Sequence, residues 1–284
     1  MQTDVKKVFY FHADANSLGG YLENPYRDIP SQASVSLPAV GGYASVRSRE
    51  FKYPDDKDHH VISCRSTYTH VSGRPVKTNG PWNARVTAVA EEINILNVLT
   101  ADRAVARVFV EHPENGGPPI ISFAGSQIHN LQFRGKAVEL SLNSTLLPTH
   151  HRDGDAYNED ESFAPEIEWQ TLSGIAQQQG AALRESSGVP AWAIDRYGWQ
   201  AVKQELDGAG VAICSLVDRI APVDGAHSYG HFLEVPDIGR FFFAESVVMP
   251  QSIQLTLIRA ELGCNTQGMA SVATARSNGI SIPP

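Results

Sequence analysis

The chain has few cysteines, no basic excess and no long apolar run, and each shortage excludes a class of protein. Its three cysteines, Cys64, Cys214 and Cys264, are scattered and odd in number. They form no CxxC pair and no Cys/His ligand spacing, which excludes a structural zinc site of the usual kind and a disulfide framework. Flanked by apolar, strand-like residues, they read as buried free thiols, and reduced thiols suit the cytoplasm. No stretch approaches the ~18 apolar residues that suggest a membrane span. The opening MQTDVKKVFYFHADANS carries no apolar segment of signal-peptide length. The expectation is a soluble, cytoplasmic protein with no membrane span. A formal net charge of −8 excludes nucleic acid as the main partner, since that needs a basic face. The densest basic group, Arg47, Arg49 and Lys52, reads as a solvated strand edge.

Linear catalytic motifs are missing as well. There is no Gly-x-Ser-x-Gly elbow, no phosphate-binding P-loop and no dinucleotide fingerprint.

What is present is β-patterning. With 42% hydrophobic and 19% charged residues, the chain has an ordinary globular composition and enough apolar material for a sizeable core. Runs such as Tyr43–Tyr53, Val61–Val71 and Arg103–Glu111 alternate with period two and end at Gly, Pro or Asn-Gly signals. Residues 84–97 fit a helix or a strand, and a hairpin of Ala84–Leu96 with Arg103–Glu111 is the better reading. The fold class predicted is mainly β: an antiparallel β-sandwich or barrel of about ten or more strands with a helical insertion. Residues 1–148 form a β-rich region, 149–165 an acidic loop or linker and 166–208 the helical insertion. Residues 209–284 complete the same fold and end in a loose tail.

Three groups of residues are candidates for function. The first is aromatic. Phe241, Phe242 and Phe243 run consecutively, so on a strand they cover both faces, and one face must meet something apolar beyond the main core. Trp192, Tyr197 and Trp199 in the helical insertion are the simplest neighbour, with a second subunit or a small apolar ligand as the others. The second group is ionic: Arg107, Glu234, Glu245, Arg259 and Glu261 lie on expected strands, where cross-strand Arg–Glu pairing is favoured over an acid–base pair. The third is a metal alternative. His227, His231 and Glu234 match the two-His, one-carboxylate donor set of non-haem iron enzymes, although a cupin motif requires His-x-His and no histidine follows His231. Asp153 and Asp155 flank a glycine in the acidic loop but miss the EF-hand register.

No cofactor is predicted; a divalent metal is the alternative at those two clusters. The function expected is that of a non-enzymatic β-rich protein acting in assembly or partner binding, with a protein partner or self-association. Two alternatives stand beside it. One is a small-molecule-binding barrel, enzymatic or not, with residues 166–208 as a lid; the other is a metal-dependent enzyme using His227, His231 and Glu234.

Overall fold

β-branched and aromatic residues alternating with polar ones favour half-buried antiparallel strands, and strands make up most of the computed structural model. It describes residues 8–54, 60–78, 80–115, 119–143, 166–249, 252–263 and 266–282. The expected acidic loop with Asp153 and Asp155, and Cys264, lie outside the described residues.

The chain begins with β1 (Val8–Glu23), β2 (Tyr26–Gln32), β3 (Val35–Ser36), β4 (Gly42–Ser48), β5 (Phe51–Tyr53), β6 (Ile62–Cys64) and β7 (Ser66–Pro75). A long hairpin follows, β8 (Trp82–Ile95) and β9 (Leu99–His112), then β10 (Ile120–Ser122), β11 (Gln127–His129), β12 (Gln132–Phe133), β13 (Lys136–Ala137) and β14 (Leu140–Leu142). The helices are α1 (Glu166–Glu185), α2 (Ala191–Tyr197), a 3-10 turn at Gly198–Ala201, and α3 (Lys203–Ala209). The chain returns to strands with β15 (Ala212–Ser215), β16 (Val217–Ile220), β17 (His227–Tyr229), β18 (Phe232–Val235), β19 (Gly239–Met249), β20 (Ser252–Gly263) and β21 (Gln267–Ile282).

Two antiparallel sheets result. One runs β17-β18-β19-β20-β21-β1-β2, with β15 beside β19 and β3 beside β1. The other runs β13-β12-β9-β8-β6-β5, with β10 and β11 beside β9, and with β4 beside β7, which pairs with β8. They pack face to face as a sandwich and do not close into a barrel. The core between them combines Phe9, Phe11, Trp82, Phe123, Phe133, Phe241 and Phe243 with many alanines, among them Ala13, Ala88, Ala104 and Ala270. Those small residues sit on β1, β8, β9 and β21, the strands that face one another across the sandwich.

The expected hairpin at 84–111 is present as β8–β9, with strand as far as Ile95 and a turn at 96–98. Other sequence expectations need correction. The run Tyr43–Tyr53 is two strands, broken at Arg49 and Glu50, and Val61–Val71 is broken at Arg65. The segment expected to be a loose tail is strand as far as Ile282. β21 pairs with β1 on one side and β20 on the other. Its small residues look weak in isolation but fit a strand flanked by two ladders, as at Gly279, where a Cβ would lie 2.3 Å from the Phe9 ring.

Period-two alternation also fails at a defined place. In β19, Phe241 and Phe243 face the core; past Ala244 the core residue is Val248, and Glu245 faces the other way. The ladder to β20 continues through it, with Phe243 opposite Ile258 and Glu245 opposite Thr256. Ala244 and Leu257 face each other at the break, and in β21 and β1 the matching positions are Ala273 and Ser17. Ala244 and Ala273 hold φ of 48° and 54°. One residue per strand thus turns out of the ladder along a line across four strands, and every side chain beyond it changes face. Glu92, φ 50°, does the same in β8, where the core residues change from Ala88 and Ala90 to Ile93 and Ile95.

A left-handed alanine costs ~1–2 kcal/mol that glycine does not. Ala244→Gly should therefore nearly cancel the loss of its buried methyl, leaving stability within about 1 kcal/mol of the parent. Ala260→Gly, equally buried but in regular strand, should lose on the order of 2 kcal/mol. Urea midpoints compare the two; equal losses would contradict the account.

Candidate functional site

The break at Ala244 makes one outer patch of the first sheet both aromatic and charged. Phe241 and Phe243 belong to the sandwich core, while Phe242 and Phe232 join Leu183, Ala193 and Tyr197 in a separate cluster on the outer face. Phe232 and Phe242 have ring centroids 5.5 Å apart, and Trp192 sits 5.0 Å from Phe232 and 6.0 Å from Phe242. Trp199 does not join them; it packs against the main core and donates its indole N–H to the Arg196 carbonyl at 2.9 Å. The helical segment lies along the edge and outer face of this sheet, not over a barrel mouth.

Three carboxylates and three guanidinium groups interlock here. Glu245, from beyond the break, accepts Tyr197 Oη at 2.6 Å and Arg259 Nη2 at 3.0 Å on Oε1, and Arg259 Nε at 2.9 Å on Oε2. Arg259 also donates to Glu261, which accepts Arg196 Nη1 at 2.9 Å. Arg240 stands opposite both Glu234 and Glu261 in the ladders and reaches them at 3.6 and 3.7 Å. Trp192 Nε1 donates to Glu234 at 3.1 Å. Guanidinium planes cover the aromatics, Arg259 lying 3.9 Å over Phe242 and Arg240 3.7 Å over Trp192. The network is a clamp that ties α2 to β18, β19 and β20.

Its electrostatics follow from that packing. Burial alone would raise the Glu245 carboxyl, but Arg259, the Tyr197 hydroxyl and Arg196 outweigh it and hold the group below the usual carboxylate range. Tyr197 is pushed well up, first by burial and then by the Glu245 charge beside it. Charge is balanced, and each carboxylate is engaged, so the network presents no free acid or base.

The metal alternative at His227, His231 and Glu234 is not assembled. His227 is exposed, opposite Glu234 in the β17–β18 ladder. His231 is buried within the turn that follows β17, its ring 4.8 Å from Tyr197. The two were expected to share a face of one extended strand; His227 lies on β17 and His231 in the turn of Gly230 and His231 before β18. Among the described residues no group of three or more His, Cys, Asp or Glu side chains is placed to hold a metal ion. Burial drives His231 down to about 4, partly opposed by Glu245. Arg107 is exposed on β9 of the other sheet and makes no ion pair among the described residues; its backbone is bridged by Ser126 Oγ at 3.0 and 3.1 Å. Cys64 and Cys214 are buried, their thiols pushed up to about 11 and about 12 by desolvation. That suits packing, not nucleophilic attack.

Sequence reasoning missed how the sheet edges are treated. β15 is an edge strand, and two helix side chains close it. Gln200 accepts Ile213 N–H at 2.6 Å and donates to its carbonyl at 2.9 Å, and Gln179 makes the same pair of bonds with Ser215, both at 2.9 Å. Two amides thereby imitate a neighbouring strand. Other edges are short or guarded: β2 carries Pro30, β5 has three residues with Lys52, β13 two with Lys136, and β17 three. β4 differs. Its seven residues, Gly42–Ser48, pair with β7 on one side in unbroken register, Gly42 opposite Gly73 through Ser48 opposite Thr67. It contains no proline, lysine or acid, and Tyr43 and Val46 are 76% and 38% exposed. Of the basic group noted in the sequence, Arg47 lies in β4, 5.1 Å over the Tyr68 ring, while Arg49 follows the strand and Lys52 lies in β5. Alternation marks β4 as a strand, but only topology reveals that its other side is open among the described residues.

These features define a class: an antiparallel β-sandwich with one edge closed by a helical clamp and another left open. The chain belongs to the domain of unknown function family DUF8256, whose model matches residues 9–249. No curated protein and no solved structure matches it. No helix among the described residues is long and apolar enough to cross a membrane.

Glu245→Gln should cost about 1.5–3 kcal/mol, because Arg259 loses one of its two carboxylate partners and keeps Glu261. Tyr197→Phe should cost only about 1–2 kcal/mol, because the ion pair survives. The folded His231 titrates near 4 and the unfolded residue near ~6.5, so the unfolded state binds more protons between those values. Stability should fall as pH drops from about 6.5 towards 4, by on the order of 3 kcal/mol from this residue. Glu245, also depressed, adds a further loss below that window. His231→Gln should reduce the slope of the upper part of the profile measured by urea unfolding, with His112, also pushed down to about 4 by burial, supplying the remainder; an unchanged profile would contradict the assignment.

Proposed function

We propose that the protein is a non-enzymatic assembly or partner-binding module that joins its partner by adding a strand to β4. The observation that supports this is the contrast between edges: β15 is closed by Gln179 and Gln200, β2 carries a proline, and β4 has seven residues with none of these devices. An exposed strand edge presents a row of N–H and C=O groups that pair with any extended segment, and folded proteins ordinarily blunt such edges. Addition of a strand takes affinity from the main chain and specificity from alternate side chains. β4 offers both, with Tyr43, Ser45 and Arg47 on one face and Ala44 and Val46 on the other. The interlocked network supports the non-enzymatic part, because its ionisable groups hold one another.

A heptapeptide of sequence TYTHVSG, residues 67–73, supplies the test, since that segment already pairs with β4 on its other side. Added at about 1 mM, where a weak strand contact saturates appreciably, it should shift the amide resonances of residues 42–48. A version with proline at its third position should not. Unmoved β4 amides with the unmodified peptide would overturn the proposal.

A further inference from the structure

The geometry points to a second copy of this chain as the occupant of the open edge, β4 pairing with β4 antiparallel about a two-fold axis through Ser45. The inference rests on the reading of β4 as the contact edge and adds which partner it fits.

A two-fold axis perpendicular to a sheet pairs residues whose side chains share a face, so it must pass through a residue and not between two. Only Ser45, at the centre of Gly42–Ser48, engages all seven residues. In that register Tyr43 stands opposite the partner's Arg47, Ala44 opposite the partner's Val46, Gly42 opposite the partner's Ser48, and the two Ser45 residues meet at the axis. Each pair is compatible. Arg47 is the only charge in the strand, and the register sets it against an aromatic ring instead of its own copy. Its guanidinium already covers Tyr68 on β7; the partner's Tyr43 would flank it on the other side, giving a cation between two rings. On the opposite face the Ala44–Val46 pairs would cover Val46, which one chain leaves 38% exposed. Hydroxyls meeting at the axis pair without repulsion. A shift of the axis to Ala44 or Val46 loses the Tyr43–Arg47 pairing.

Sedimentation of the full chain between about 1 and 100 μM, where contacts of this kind populate both states, should show a monomer–dimer equilibrium. Ser45 is exposed, so Ser45→Asp should fold normally while setting two carboxylates face to face. It should weaken dimerisation by about tenfold or more. Ser45→Cys in a Cys264→Ser background should form a covalent dimer on mild oxidation, because directly opposed antiparallel residues approach to ~4.5–5.5 Å, within disulfide reach, and Cys264→Ser alone, with Cys64 and Cys214 buried, should not. A dimer indifferent to Ser45→Asp, or a Ser45→Cys chain that does not cross-link, overturns the inference. A chain that stays monomeric while its β4 amides respond to TYTHVSG rejects the second copy and keeps the strand-addition reading; a monomer whose amides stay silent rejects both.

Discussion

The constraint on which the rest of the structure depends is the break in strand alternation along Ser17, Ala273, Leu257 and Ala244. Without it, Glu245 would share a face with Phe241 and Phe243 and point into the sandwich core, where no cation waits for it. With it, Glu245 turns to the outer face, within reach of Arg259 on the neighbouring strand and Tyr197 on α2. Two alanines in left-handed conformation are the local cost of moving one carboxylate to the side where its partners are. Small side chains at those positions keep that cost low.

From that carboxylate the helical layer is built outward. A buried ion pair is weak as a source of stability, since desolvation offsets much of the attraction, but it is strict about place. Here the pair fixes where α2 lands: Tyr197 must reach Glu245, which brings Trp192 to Glu234 and sets the rings of both against Phe232 and Phe242. The same docking carries Gln179 and Gln200 to the open side of β15. Clamp and edge closure are thus one device, and a protein that closes one edge so thoroughly makes the open edge of β4 meaningful.

Much of this was legible in the sequence, and the failures share a cause. Alternation revealed the antiparallel sheets, and the change of period after the acidic segment revealed the helices. The triplet Phe241–Phe243 required a second apolar neighbour, and Trp192 and Tyr197 occupy that position. Yet period-two reasoning assumes that faces never change along a strand. Arg–Glu pairing among these residues was expected and Arg259 does meet Glu245; period-two reasoning missed only that they meet diagonally across the break, since their ladder partners are Phe242 and Thr256. It read β21 as a tail because alanine, serine and glycine carry little hydrophobic signal alone. It set His227 beside His231 by counting along an extended segment that in fact turns. The open side of β4 is a property of topology, which no local pattern encodes.

The central claim is that β4 is where this protein meets its partner, and that the partner is another copy. Hydrogen exchange of the Gly42–Ser48 amides as a function of protein concentration tests it most directly. Those β4 N–H groups that point away from β7 have no acceptor among the described residues and gain one in the dimer. Their protection should rise with concentration, while the amides of β8 and β9 in the middle of the same sheet stay constant. Protection of β4 that is independent of concentration would contradict the account.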